Sequence, residues 1–155
     1  MIWNDTEIRQ LLLGQQIGLN RSVSIDVWLN YLAEQHLHCN PDGEEILRVL
    51  GGLIVVPKHG EGCMYYGDDL HFDPTRLDVG DAQDIESWEA NLGCNLMPIG
   101  IVLRELVPIV IDDEGRIYCI VGNIAYSSGD DLNGSLRGLL LADRIPVVLD
   151  FPHDV

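Results

Sequence analysis

Apolar positions in the first third of the chain recur at helical spacing, and polar residues mark where each run begins. Ile8, Leu11 and Leu12 follow the possible caps Asn4, Asp5 and Thr6, which predicts a short first helix ending at Gly14. Ile25, Trp28, Leu29, Leu32 and His36 share one face of a second helix behind Ser22 and Ser24, with Asp26 in the first turn, where a negative charge suits the helix dipole. Asn40 and Pro41 suit the N-cap and first turn of a third helix striped by Ile46, Leu47 and Leu50, and Gly51 is placed to take a left-handed stop. A fourth helix is predicted with Asp81 as N-cap and Asp84 three residues on. It carries Ile85, Trp88 and Leu92 on one side, Glu86 and Glu89 on the other, and stops at Gly93.

Elsewhere the pattern shortens to strand length. Leu53 to Val56 is a continuous apolar run ended by Pro57, which reads as a strand covered on both faces, with Gly52 allowing the chain to reverse into it. Gly60 to Asp69 reads as a loop or hairpin rich in glycine and acid, and Leu70 to Phe72 as a second short strand closed by Asp73 and Pro74. The main sheet is expected from Leu96 to Leu103, broken by Pro98 and Gly100, from Val107 to Ile111 and from Arg116 to Val121. Asp112, Asp113, Glu114 and Gly115 make a hairpin turn between the last two, so the pairing is antiparallel. Asp130 or Asp131 caps a last helix with Leu132, Leu136, Leu139 and Leu140 on one side, and residues 145–155 read as a C-terminal tail holding one short extended run. Helices gather early and strands later, which argues for an α+β domain with helices packed on a mostly antiparallel sheet.

Composition narrows the class. A chain of 155 residues that is 46% hydrophobic and 22% charged fits one globular domain, residues 1–155, with a sizeable core. Nine basic residues against 25 acidic ones give a net charge of −16, which repels nucleic acid and anionic membranes and attracts basic surfaces. The N-terminus lacks the basic and apolar regions of a secretory signal, and no apolar run approaches the roughly 20 residues of a membrane span, so a cytoplasmic protein is expected. Cys39, Cys63, Cys94 and Cys119 are widely spaced without a CxxC pair and read as reduced thiols.

Candidate chemistry is weak. His36, His38 and Cys39 with His59, Cys63 and His71 offer ligand types for zinc, but His36 falls on an apolar helix face and the others lack the paired spacing of a zinc ribbon, so no metal or other cofactor is expected. No cysteine sits on a strand-to-helix elbow, and Ser127 and Ser128 beside Gly129 lack a surrounding GxSxG, so no enzyme is expected. Gly51 and Gly52 precede a strand instead of a helix, and Gly60, Gly62 and Gly67 are flanked by acids that would repel phosphate. What stands out is charge density. Glu61, Asp68, Asp69, Asp73, Asp78, Asp81, Asp84, Glu86 and Glu89 face a single base, Arg76, across Glu61 to Glu89. Solubility, adaptation to salt and an acidic docking surface would all give that composition.

The order of several phrases is more specific. NRSVSIDVWLNYL, ILRVLGGLIV, FDP at Phe72 to Pro74, WEANLGCNLMPIG, IVIDDEGRIYCI and SSGDDLNGSLRGLL resemble, in sequence, the SUKH-3 branch of the SUKH superfamily, which also contains the Smi1/Knr4 proteins. Arg21, Trp28, Gly51, Gly52, Trp88, Pro98, Gly100, Asp112, Gly115 and Gly129 carry the resemblance, which spans residues 21–141. It implies a SUKH-like α+β fold and a bacterial immunity protein of a polymorphic toxin system. Such a protein binds a cognate toxin, often a nuclease or nucleic-acid deaminase, and blocks it by direct contact without catalysis. The alternative is a cytoplasmic scaffold or regulatory binding module of the Smi1 type with no toxin partner. Under the toxin reading, Asp68, Asp69, Asp81, Asp84, Glu86 and Glu89 are the expected docking charges. Tyr65 and Tyr66 are the expected anchors, and Tyr126 is a third aromatic candidate, while the residues that carry the resemblance serve core and turns.

Overall fold

The computed structural model describes residues 2–59, 68–104 and 106–152. Its elements in chain order are α1 (Thr6–Gly14), α2 (Asp26–Glu34), α3 (Pro41–Leu50), β1 (Ile54–Val55), β2 (Leu70–His71), α4 (Val79–Leu92), β3 (Leu96–Val102), β4 (Val107–Asp112), β5 (Ile117–Val121), β6 (Ile124–Ser127), α5 (Leu132–Leu141) and β7 (Val147–Asp150). The seven strands form one sheet in sequential order, every neighbouring pair antiparallel, so the fold is α+β as the pattern predicts.

Among the described residues, four of the five α-helix starts, all but that of α2, are fixed by a side-chain cap. Asp5 accepts from the N–H groups of Glu7 and Ile8 at 3.1 Å, Asn40 from Gly43 at 2.7 Å, and Asp131 from Gly134 at 2.7 Å. For α4 the cap is Asp78, which accepts from Gly80 at 2.7 Å. The expected cap Asp81 lies inside the first turn instead, because the apolar face was too sparse to show that the helix extends one turn upstream.

The stops differ from expectation in two places. α2 ends at Glu34, and His36 lies beyond it, exposed, with φ at +56°. The N–H of His36 donates to Ala33 and that of Leu37 to Leu32, so His36 fills the left-handed position of a Schellman motif instead of extending the apolar face. At the end of α3, Gly51 has φ −56° and ψ 136°, while Gly52 takes the positive φ of +79°. Gly51 is required for a different reason. A Cβ there would run into the Trp28 indole and the Leu47 carbonyl.

The sheet separates two hydrophobic layers. On one face α1, α2, α3 and α5 cover Met97, Ile99, Val107, Ile109, Ile111, Ile117 and Cys119. On the other, Ile85 and Trp88 of α4 join Leu96, Ile101, Val110, Tyr118, Ile120, Ala125 and Phe151. β3 is not broken by its proline and glycine but bulged, with the register to β4 shifting between Pro98 and Gly100. The bulge reverses the alternation, so that Met97 and Ile99 face the first layer while Ile101 faces the second. Gly100 is needed there because a Cβ would collide with the His71 carbonyl of the neighbouring strand.

Both sheet edges also depart from the sequence reading. β1 is two residues long, with Ile54 exposed and Val55 buried, so it is an edge strand covered on one face only. The hydrophobic pattern does not separate β6 from β5, because the turn at Gly122 and Asn123 between them is so short. The extended run after Ile145 is β7, which pairs with β6 from Ser127↔Val147 to Ile124↔Asp150.

Candidate partner-binding surface

Most of the positive charge is consumed locally. Among the described residues, Arg48 pairs with Glu44 and Glu45, Arg76 with Asp73, Arg104 with Asp68, Arg116 with Asp112 and Glu114, Arg144 with Asp130, and Arg137 with Asp5, Glu7 and Asp143. Arg21 is spent on backbone, donating to the carbonyls of Val49 at 2.6 Å and Gly51 at 2.9 Å and so capping the end of α3. These contacts leave carboxylates without counter-charge elsewhere, above all on α4.

From residue 77 through residue 103 the chain has no lysine or arginine, and α4 lies within that stretch. Its inner side, Ile85 and Trp88, is buried, while Asp84 and Glu86 are exposed and Asp81 is half-buried. Burial, with the neighbouring carboxylates of Asp78 and Asp84, pushes the Asp81 carboxyl above its ordinary pKa.

The expected docking residues are not equivalent. Asp84 and Glu86 point to solvent, but Glu89 is half-buried and accepts from the Leu96 N–H at 2.8 Å, bracing the start of β3. Asp68 is half-buried beside Arg104 at 3.5 Å, and the carbonyl of Asp69 accepts from the Leu103 N–H at 2.9 Å. Tyr65 and Tyr66 lie outside the described residues, as do Glu61 and Cys63. Tyr126 sits on β6, half-buried against the first hydrophobic layer.

The residues assigned to core and turns form a connected framework. Trp28 stacks over Gly51 and donates its indole N–H to Asp73 at 3.0 Å, while the Gly52 N–H donates to the Phe72 carbonyl at 2.9 Å. Gly115 takes φ +84° in the hairpin with Leu132 against it, and Gly129 is buried where a Cβ would strike the Ser135 backbone. Asp112 is fully buried and anchors the same hairpin. Its carboxylate accepts from the N–H groups of Glu114 and Arg116, both at 2.9 Å, from Arg116 Nε at 2.7 Å and from the Tyr118 hydroxyl at 3.1 Å. Burial and the Asp112 charge hold the Tyr118 phenol well above its ordinary range. Sequence placed Asp112 in the turn but had no signal for its inward carboxylate, since the donors converge from a strand and a guanidinium.

Other reactive groups are quiet. His38 Nε2 lies 2.8 Å from Asp113, and Asn95 donates to that carboxylate at 3.2 Å, tying the α2–α3 connection to the hairpin. Burial pushes the Cys94 thiol up to about 11 and the Cys119 thiol up to about 12, so neither supplies a thiolate near neutral pH. Among the described residues no group of three histidine, cysteine or carboxylate side chains is arranged to hold a metal, and no helix is long and apolar enough to cross a membrane.

No curated protein and no solved structure matches the chain significantly. The family model of the SUKH-3 immunity protein does match, over residues 18–142, which takes in the framework from Arg21 to Gly129 together with α4. The chain belongs to the SUKH-3 immunity protein family.

Proposed function

We propose that this protein neutralises a cognate toxin of a bacterial polymorphic toxin system by binding it directly, and that the toxin domain is a basic one of the nuclease or nucleic-acid deaminase kind. Family membership supports an immunity role. The observation that carries the finer reading is the exposed carboxylate side of α4, in a stretch with no basic residue, on a protein of net charge −16. A domain that acts on nucleic acid presents a cationic cleft. Clustered carboxylates can flank or fill that cleft and raise the rate of encounter. Asp81, Asp84 and Glu86 are the docking charges in this reading, with Asp69 nearby in sequence, Asp68 and Glu89 held partly by their structural contacts, and Tyr65 and Tyr66 as aromatic anchors. The protein acts by occupying a surface, without chemistry of its own, in the cytoplasm where such toxins act.

Co-expression with the toxin domain encoded beside its gene tests the proposal. The expected result is rescue of growth, a stable complex, and an association rate that falls as salt rises. Changing Asp81, Asp84 and Glu86 together to amides should slow association more than it speeds dissociation. Unimpaired toxicity with no complex would refute the proposal, and an unchanged association rate in the triple variant would move the docking face away from α4.

A further inference from the structure

The two edges of the sheet are finished differently. At β1 the outer edge is plugged, because the Gln15 side-chain amide donates to the Val56 carbonyl at 2.7 Å and accepts from the Val56 N–H at 2.8 Å. Such a cover blocks strand addition, as natural sheets commonly do. At β7 no described residue plays that part. Val147 is 46% exposed, Val148 53% and Ile145 72%, and Asp150 is exposed as well.

The register identifies which backbone groups are open. The Phe151 N–H donates to the Asn123 carbonyl at 2.7 Å, so Phe151 and Asn123 form a hydrogen-bonded antiparallel pair. Alternation then makes Leu149 with Ala125 and Val147 with Ser127 the other hydrogen-bonded pairs. The N–H and C=O groups of Val148 and Asp150 therefore point away from β6, toward the free edge.

Resting on the immunity reading above, we infer that β7 is a strand-addition site that takes an extended segment of the toxin domain, with valine-like residues beside Val147 and Val148 and a lysine or arginine beside Asp150. Main-chain hydrogen bonds to Val148 and Asp150 supply affinity, and the flanking side chains supply selectivity. Charge decides the occupant. A second copy of this chain would bring another net charge of −16 and another Asp150 to the edge, whereas a basic partner gains at both. Leu149 and Phe151 face the hydrophobic layer of Ile85 and Trp88, so by alternation the Val148 and Asp150 side chains lie on the opposite face from α4, and the toxin segment docks at the open edge itself, not across the acidic helix.

Amide exchange followed by NMR on the whole protein, free and in complex with the toxin domain encoded beside its gene, tests the inference. The Val148 and Asp150 amides should exchange readily in the free protein and slow by about tenfold or more in the complex. Val148→Pro removes only an N–H that β6 does not use, and should make the complex dissociate about tenfold faster, equivalent to about 1.4 kcal/mol. If that variant does not fold, the exchange data on the unaltered protein decide alone. A stable complex in which both amides stay unprotected overturns the inference and leaves the immunity reading standing. Protection that appears in the free protein with rising concentration, together with a dimeric mass, overturns the toxin strand as occupant. Absence of any complex refutes the immunity reading and this inference with it.

Discussion

Replacing Asp112 with alanine should cost this protein a large share of its stability. The carboxylate is fully buried and accepts four hydrogen bonds, two from the turn's own N–H groups, one from Arg116 and one from Tyr118. A hydrogen bond to a charged group contributes about 1.5–3 kcal/mol, and breaking a buried ion pair costs about 3–5 kcal/mol. Arg116 is 36% exposed and keeps Glu114 at 3.3 Å, so its charge can rehydrate, and the turn N–H groups lie near solvent. Tyr118 is only 4% exposed and its hydroxyl bond to Asp112 is buried, so its unmet donor has no such outlet and sets the floor. The expected loss is about 3–4 kcal/mol out of a total of about 5–15 kcal/mol for a domain. With a urea slope of about 2 kcal/mol per molar, the unfolding midpoint should fall by roughly 1.5–2 M. Asp112→Asn keeps an acceptor for the two N–H groups and should lose about half as much, and in a double-mutant cycle Asp112→Ala and Tyr118→Phe should couple by about 1 kcal/mol. A loss below about 1 kcal/mol for the alanine variant, or additive effects in the cycle, would refute the assignment of Asp112 as the anchor of the hairpin.

Three further outcomes follow from other parts of the structure. Gly51→Ala should lower stability by about 1–3 kcal/mol, read by thermal unfolding, because its Cβ must displace the Trp28 indole or the Leu47 carbonyl; a neutral effect would mean the α3 end is slack. For Arg137→Met, burial would raise the Asp5 carboxyl but the Arg137 and Ile8 hydrogen bonds outweigh it and hold its folded pKa below 3.8, so this contribution to stability exists above that pH and is lost as pH falls through the folded value. The variant should be less stable than the parent at pH 7, with a gap that closes in acid, and a gap independent of pH would refute the linkage. Asp81 has the opposite sign: its folded pKa lies above 3.8, so ionisation works against folding as pH rises past that value, and Asp81→Asn should raise the melting temperature at pH 7 with a gain that vanishes in acid.

The framework of this fold was largely legible because its signals are local. Asp5, Asn40 and Asp131 cap the helices that follow them within three residues, and the hairpin from Asp112 to Gly115 sits between apolar runs of strand length. Where the structure departs from the pattern, either the deciding partner is distant in sequence or the local signal is ambiguous. His36 fits the apolar spacing of α2, yet the chain leaves the helix before it. Gly51 looks like a left-handed stop, but its lack of a side chain serves Trp28, 23 positions upstream, and Gly52 makes the turn. β7 reads as a tail because only pairing with β6 makes it a strand.

The same division holds for the candidate site. Sequence alone determined the excess of carboxylates, the absence of basic residues across α4 and the order of motifs that marks the family. Tertiary structure decided which of those carboxylates are available. It turned Glu89 toward the Leu96 N–H, set Asp68 beside Arg104, buried Asp112 completely and left Asp84 and Glu86 in water. Charge is a property of each residue and survives any arrangement of the chain. Availability depends on which donors the fold brings within about 3 Å, and those come from elements that sequence order alone does not place side by side.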